Sequence, residues 1–412
     1  MTTPLSADEP PGDLVEIDLL SAAVFAQGQP HDQYRWLRAN DPCHFHPEPS
    51  GPGFWAVTRY SDVRAIGRDP ATFASWPTMT IADVPGGVEH QLMISCDPPL
   101  HTAQRRLLNA RFTPRSAASW RVRIEQLATQ IVDAVAGRGE CDFVADLAGE
   151  MPSFVIAELL GIPLADGRRL YQLTEVLHAA PGTHTPGEVQ AAVTEMFSYA
   201  QGVAEEKRRQ PCDDLSSLLV GSELRGKPVD DIDFNLFFLL LIDAGGDTTR
   251  NLVGGGMLAL FEHPRERERL LEDLDALLPT AVEEMLRWVS PVVHMRRTAT
   301  RDTVLCGRDI RAGDKVVMFY GSANRDDAVF DEPHRFDIGR RPNDHIAFGG
   351  GGPHFCLGAH FTRIEIDALL REILTRLPDI EPAGPAEWLA SNFVSGPSTL
   401  PVRFTPVNAS RP

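Results

Sequence analysis

Phe348-Gly349-Gly350-Gly351-Gly352-Pro353-His354-Phe355-Cys356-Leu357-Gly358-Ala359-His360 decides how the rest of this 412-residue chain is read. The stretch sets one cysteine inside a glycine-rich, aromatic-flanked loop, immediately before a helical pattern that runs from Ala359 to Leu377. A cysteine at a helix N-terminus lies near backbone N–H groups, which favour the thiolate over the thiol. Four consecutive glycines let the backbone pass close to something flat and bulky while their N–H groups turn toward sulfur. For a cysteine met in isolation, a buried thiol beside a flexible turn is the simpler account. The decision falls to the rest of the chain.

Bulk properties narrow the field. With 43% hydrophobic residues the chain can bury a large core. A net charge of −18 argues against a general nucleic-acid surface, although a local basic patch for an acidic protein partner stays open. The six cysteines, at 43, 96, 141, 212, 306 and 356, form no CxxC pair and no regular spacing. That is the pattern of a reduced intracellular chain rather than a disulfide framework or a zinc site. Met1 to Leu20 lacks a basic start and an apolar run, so no signal peptide is expected. The longest apolar run, Leu236 to Ile242, falls far short of the ~20 residues that span a bilayer. A cytoplasmic protein without a membrane span is expected.

Along the chain, residues 1–16 read as a loose tail and 17–412 as one catalytic domain, mainly α with a minor β part. Gly53 to Thr58 reads as a strand and Arg59 to Ile66 opens a helix. Residues 76–97 form a long irregular loop, the kind that is often functional. Helical patterns follow at 99–111, 116–137, 150–160, 166–179, 187–209 and 230–262, with two more between 264 and 289. Residues 179–187 read as a connection that could act as a lid. Short β-type runs occupy 292–299, 303–310, 315–319 and parts of 388–406.

Three further stretches carry chemistry. Asp231 to Phe261 would make a helix of roughly 45 Å, but Ala244-Gly245-Gly246-Asp247-Thr248-Thr249 sits in its middle, where propensity disfavours helix. An interrupted helix is expected there, with Asp247 and Thr248 side by side as a proton-passing acid and alcohol. Helical spacing puts Phe237, Leu241, Ala244, Gly245 and Thr248 on one face, an apolar wall ending at the hydroxyl. Glu284 and Arg287 stand at i, i+3, ordinarily a surface pair of little weight. His101 and Arg105 stand at i, i+4 near a helix start, and strand alternation turns one of Arg296 and Arg297 inward and the other away.

Taken in order, these stretches resemble the cytochrome P-450 family, and they cover about residues 97–365. The Cys356 loop is similar to the family's haem-ligand loop, so the resemblance makes Cys356 the thiolate ligand of haem b. His354 matches its propionate-contacting position and Gly358 the glycine after the ligand. One departure stands out: the family's aromatic lies seven residues before the cysteine, whereas Gly349 holds that place here and Phe348 lies eight before. An extra glycine has entered the loop, and a packing role for Phe348 is the less secure for it.

The resemblance also implies the other roles. Asp247 and Thr248 become the pair that delivers protons for dioxygen cleavage. Glu284 and Arg287, with Arg335 from Glu332-Pro333-His334-Arg335-Phe336, become a structural triad. His101, Arg105, Arg297 and His354 become the propionate clamp. Val292, Val293, His294, Asn392, Phe393 and Val394 line the pocket, with Met79, Leu92 and Met93 as further candidates.

The expected activity is that of a haem-thiolate monooxygenase hydroxylating an unactivated C–H bond of a hydrophobic molecule. Electrons would come from a separate ferredoxin and ferredoxin reductase, docking near Arg106, Arg111 and Arg363. The loop and the segments Met295–Thr300 and Gly313–Asp326 look like actinobacterial members that hydroxylate sterols and branched lipids. The second reading is a tailoring hydroxylase or epoxidase for a polyketide, terpenoid or other secondary metabolite. A haem sensor or carrier without turnover is a third, disfavoured because it has no need of Asp247 and Thr248.

Overall fold

The computed structural model describes residues 16–83, 92–178 and 185–407. Most of the expected 1–16 tail, part of the 76–97 loop and most of the 179–187 connection lie outside the described residues. The core is helical. The long helix Asp231–Glu262 runs through its centre, packed by Glu150–Leu160, Leu164–His178, Pro186–Arg209 and Leu274–Val289. Each start has a local cause. Asp230 caps the long helix by accepting from the Asp233 amide at 2.8 Å. Thr185 and Glu188 form a reciprocal capping box on Pro186–Arg209.

The Asp231–Glu262 helix is continuous, against the interruption its glycines and threonines led one to expect. Thr248 Oγ1 donates to the Ala244 carbonyl at 3.2 Å, so the hydroxyl bonds along the helix rather than breaking it. Gly246 has a separate cause: a Cβ there would stand 2.6 Å from the Tyr171 ring. The glycine thus permits a close crossing, and tertiary packing overrides propensity.

The β part is small. A five-stranded sheet runs Cys43–His46, Phe54–Val57, Lys315–Phe319, His294–Ala299, Phe73–Ala74, with only the Phe54–Val57 and Lys315–Phe319 pair parallel. A second sheet joins Glu381–Pro382, Pro401–Arg403 and Glu140–Asp142. Helix His31–Asn40, strand Cys43–His46 and the short helix Leu215–Val220 went unread in the sequence, their patterns being too short to register. Among the described residues no single helix is long and apolar enough to cross a membrane.

Beneath the core, Glu284 and Arg287 are completely buried and joined by two 2.8 Å hydrogen bonds. Arg287 also donates to the carbonyls of Asn324, Pro333 and Arg335. The expected third member is corrected here. The Arg335 side chain points to solvent and pairs with Glu332, and only its backbone carbonyl faces Arg287. Arg340 takes the place, its Nε 3.2 Å from Glu284 Oε2, because the chain folds back over the 331–335 turn. Asp337 N and Asn343 Nδ2 complete the Glu284 shell.

Candidate active site

A cavity of about 280 Å³ separates the middle of the long helix from the Cys356 loop. The floor is set by the helix Ala359–Arg376, whose first amides, those of Gly358 and Ala359, point at the Cys356 sulfur. Cys356 N donates to the Phe348 carbonyl at 2.9 Å, closing the glycine loop. The added glycine is absorbed outward, where Gly352 lies so close to helix Tyr60–Arg68 that a Cβ would meet the Gly67 carbonyl at 2.1 Å. Phe348 therefore still lines the cavity, with Arg363 4.6 Å over its ring.

Burial pushes the Cys356 thiol up, and this outweighs the Gly358 and Ala359 amides and the charges of Arg105 and Arg363, which pull it down. The helix N-terminus alone does not make the thiolate expected from sequence. A cation bonded to the sulfur favours its deprotonated form.

One rim is strongly basic. His101, Arg105, Arg297 and His354 all line the cavity. The His101 and His354 rings lie 4.1 Å apart, and His354 Nε2 is 2.9 Å from Ser75 Oγ. Burial, then the Arg105 charge, lowers His101 to about 4. Burial with Arg297 and His101 takes His354 to about 2. Buried His101 Nδ1 has no hydrogen-bond partner among the described residues. The nearby Asp97 carboxylate is already engaged by the amides of Ser75 and Trp76. Two buried basic groups, His101 and Arg297, and two half-buried ones, Arg105 and His354, with no carboxylate bonded to them among the described residues, form a site for a ligand that brings two negative charges. With a sulfur on the floor and apolar walls, the donor set fits haem: thiolate for iron, basic rim for propionates. Arg297 faces this rim, while Arg296 turns the other way onto Asp83 at 2.5 Å, as strand alternation predicts.

On the opposite wall Asp247 and Thr248 both line the cavity. Asp247 is buried, accepts from Tyr171 Oη at 2.9 Å and lies 3.4 Å from Arg250 Nη2. The acid is thus held on a tether beside the hydroxyl.

The walls only partly match the sequence reading. Leu241, Ala244, Gly245, Val292, Phe393 and Val394 line the cavity, as do Met79 and Met93. Phe237, one turn before Leu241, is buried in the helical core instead. Val293 packs with Phe54 and Phe319 in a separate cluster, because alternation turns it from Val292. His294 is buried with Nδ1 2.8 Å from the Asn392 carbonyl, and Leu92 joins the main core.

Several lining residues went unnoticed in the sequence, among them Ile156, Asp243, Met295, Tyr320 and Glu365. Glu365 had a visible signal: an acid on the apolar face of a helix, next to Ile364 and Ile366. Burial drives its carboxyl up to about 8. Two of the three arginines expected at the docking patch are paired within the chain. Arg363 is bonded in a fork to Glu283, and Arg111 pairs with Asp213 at 2.5 Å, which leaves Arg106 the exposed member.

The cytochrome P450 family model matches residues 165–379. A methyl-branched lipid omega-hydroxylase of Mycobacterium tuberculosis is 39% identical over 383 residues, 90% of each chain. The chain belongs to the cytochrome P450 family. A steroid C26-monooxygenase of Mycolicibacterium smegmatis is 38% identical, covering 95% of this chain and 96% of that one. A Mycobacterium marinum cytochrome P450 solved with pseudoionone superposes with a TM-score of 0.89 at 38% identity, covering 97% of this chain and all of that one. This P450 is a monooxygenase that uses haem b with an axial cysteine thiolate.

Proposed function

We propose that this P450 hydroxylates an unactivated C–H bond of a branched lipid or steroid, with Cys356 as the thiolate ligand. The single observation that carries the site assignment is the Cys356 sulfur facing a cavity whose rim gathers four basic groups, two of them buried. His101, Arg105, Arg297 and His354 hold the propionates, and Phe348 and Gly358 shape the loop around the ligand. The haem supplies dioxygen activation and the insertion of one oxygen atom into substrate.

The chain's own groups do the rest. Thr248 Oγ1 hands protons into the cavity and is resupplied by Asp247. For that transfer Asp247 must exchange Tyr171 and Arg250 for water, so these two residues set when the acid is available. The apolar walls orient the substrate and exclude water. Residues 17–412 act as one cytoplasmic catalytic domain, and electrons come from a separate ferredoxin and ferredoxin reductase.

Similarity to a lipid omega-hydroxylase and a steroid C26-monooxygenase favours this substrate class over secondary-metabolite tailoring. The test is a titration of branched fatty acids, steroids and terpenoids against the ferric protein, read as a low- to high-spin shift. Response to terpenoids alone would move the assignment to the second reading. The reduced carbon-monoxide spectrum of the same sample reports thiolate ligation, and a histidine-type spectrum would remove Cys356 from its role. Thr248→Ala should divert reducing equivalents to peroxide, measured as product per NADH; unchanged coupling contradicts its proton role.

A further inference from the structure

A second cavity, of about 200 Å³, lies between the segment 27–31, the end of helix Leu274–Val289 and the segment that carries Arg325. Arg325 is only 3% exposed. Its guanidinium stacks 4.4 Å from the Trp288 ring, and Nη1 has no hydrogen-bond partner among the described residues. His31 lines the same cavity, and its Nδ1 is shielded and likewise without a partner among the described residues. Gln29 also lines the cavity: Nε2 donates to the Val289 and Ser290 carbonyls, and Oε1 has no hydrogen-bond partner among the described residues.

The surrounding charge makes this arrangement expensive. Burial opposes the charge on Arg325, and Arg287 and Arg38 add repulsion; Glu284 is the carboxylate that helps. Glu284 already serves Arg287, Arg340, Asn343 and the Asp337 amide. Arg38 is itself buried and spends Nη1 on Ser322. A buried guanidinium needs a counter-charge, and Glu284, the carboxylate whose charge supports Arg325, is already shared among those partners. Glu262 also lines the cavity, at its exposed edge, and forms no ion pair with Arg325 among the described residues.

We propose that this cavity binds a small monovalent anion of the halide class, held by the Arg325 guanidinium and a His31 N–H. The anion ties the 27–31 segment to helix Leu274–Val289, away from the Cys356 cavity. It acts as a structural ion that stabilises the folded state by mass action.

The experiment uses the holoenzyme. Crystals grown in bromide and measured at the bromine absorption edge should show an anomalous peak within hydrogen-bond reach of Arg325. In solution, replacing chloride by gluconate at equal ionic strength should lower the wild-type Tm by several degrees. The same exchange should leave Arg325→Met or His31→Phe much less affected. If neither variant folds, the wild-type diffraction and Tm data decide alone. Water alone in the cavity overturns the proposal, as does bromide density with a Tm indifferent to the anion (an adventitious ion only).

Discussion

The Glu284 cluster and the basic rim of the Cys356 cavity both bury arginine, but only the first brings its own carboxylate. Glu284 receives Arg287 in a fork and Arg340 and Asn343 besides. His101, Arg105, Arg297 and His354 have no acid bonded to them among the described residues, and burial followed by the charges of Arg105 and Arg297 depresses both histidines. A buried cation with an internal counter-charge braces the fold; one without it awaits a charged ligand. The Arg325 cavity belongs with the rim by this criterion.

The largest expected effect breaks the self-sufficient cluster. Glu284→Ala strands Arg287 and Arg340 and should cost about 3–5 kcal/mol, enough to threaten folding. Denaturant titration checks it, and a loss below about 1 kcal/mol would show that the cluster does not depend on its acid.

The second prediction concerns the carboxyl on the cavity wall that does not serve the rim. Glu365 is raised by burial to about 8, so it is largely neutral at pH 7. A raised acid contributes stability that is complete below its unfolded value, 4.5, and is lost as pH rises through about 8. Stability measured from pH 4.5 to 9 should therefore fall relative to Glu365→Gln, by on the order of 5 kcal/mol. Parallel pH curves would mean that Glu365 ionises normally and could serve as a counter-charge after all.

The third acts on the rim itself. Arg297→Leu should loosen haem by about 1.5–3 kcal/mol, one charge-assisted contact, while the haem-stripped chain becomes no less stable. Haem transfer to apomyoglobin and denaturation of the stripped protein measure the two halves. Equal losses in both would make Arg297 a bracing residue.

The smallest effect separates two neighbouring arginines. Arg335→Ala should leave the denaturation midpoint within error, because the side chain lies in solvent. Arg340→Ala should shift it clearly, because Arg340 reaches Glu284. The reverse order would return Arg335 to the cluster.

The helical core was legible because its apolar periodicities are long, as over 230–262 and 187–209. The rim was legible in part, since His101 and Arg105 share a helix face and alternation separates Arg297 from Arg296. What stayed hidden depends on chain reversals. Arg340 could not be told from Arg335 without the fold-back that aims one inward. Phe237 was placed on the cavity wall by local spacing and Val293 by the resemblance, but neighbouring strands and helices claim them for other clusters.

By itself the sequence determined the chemistry: a cysteine before a helix, an acid beside an alcohol, and basic residues in the right order, all encoded in residue type and spacing. Tertiary structure decided which charges are balanced. It set Cys356 where burial raises the thiol against the pull of the helix amides, tethered Asp247 to Tyr171, and left Arg325 Nη1 without a hydrogen-bond partner among the described residues. The reason is physical. Periodicity fixes which face a side chain takes, but burial and counter-charge depend on distant segments that meet only when the chain folds.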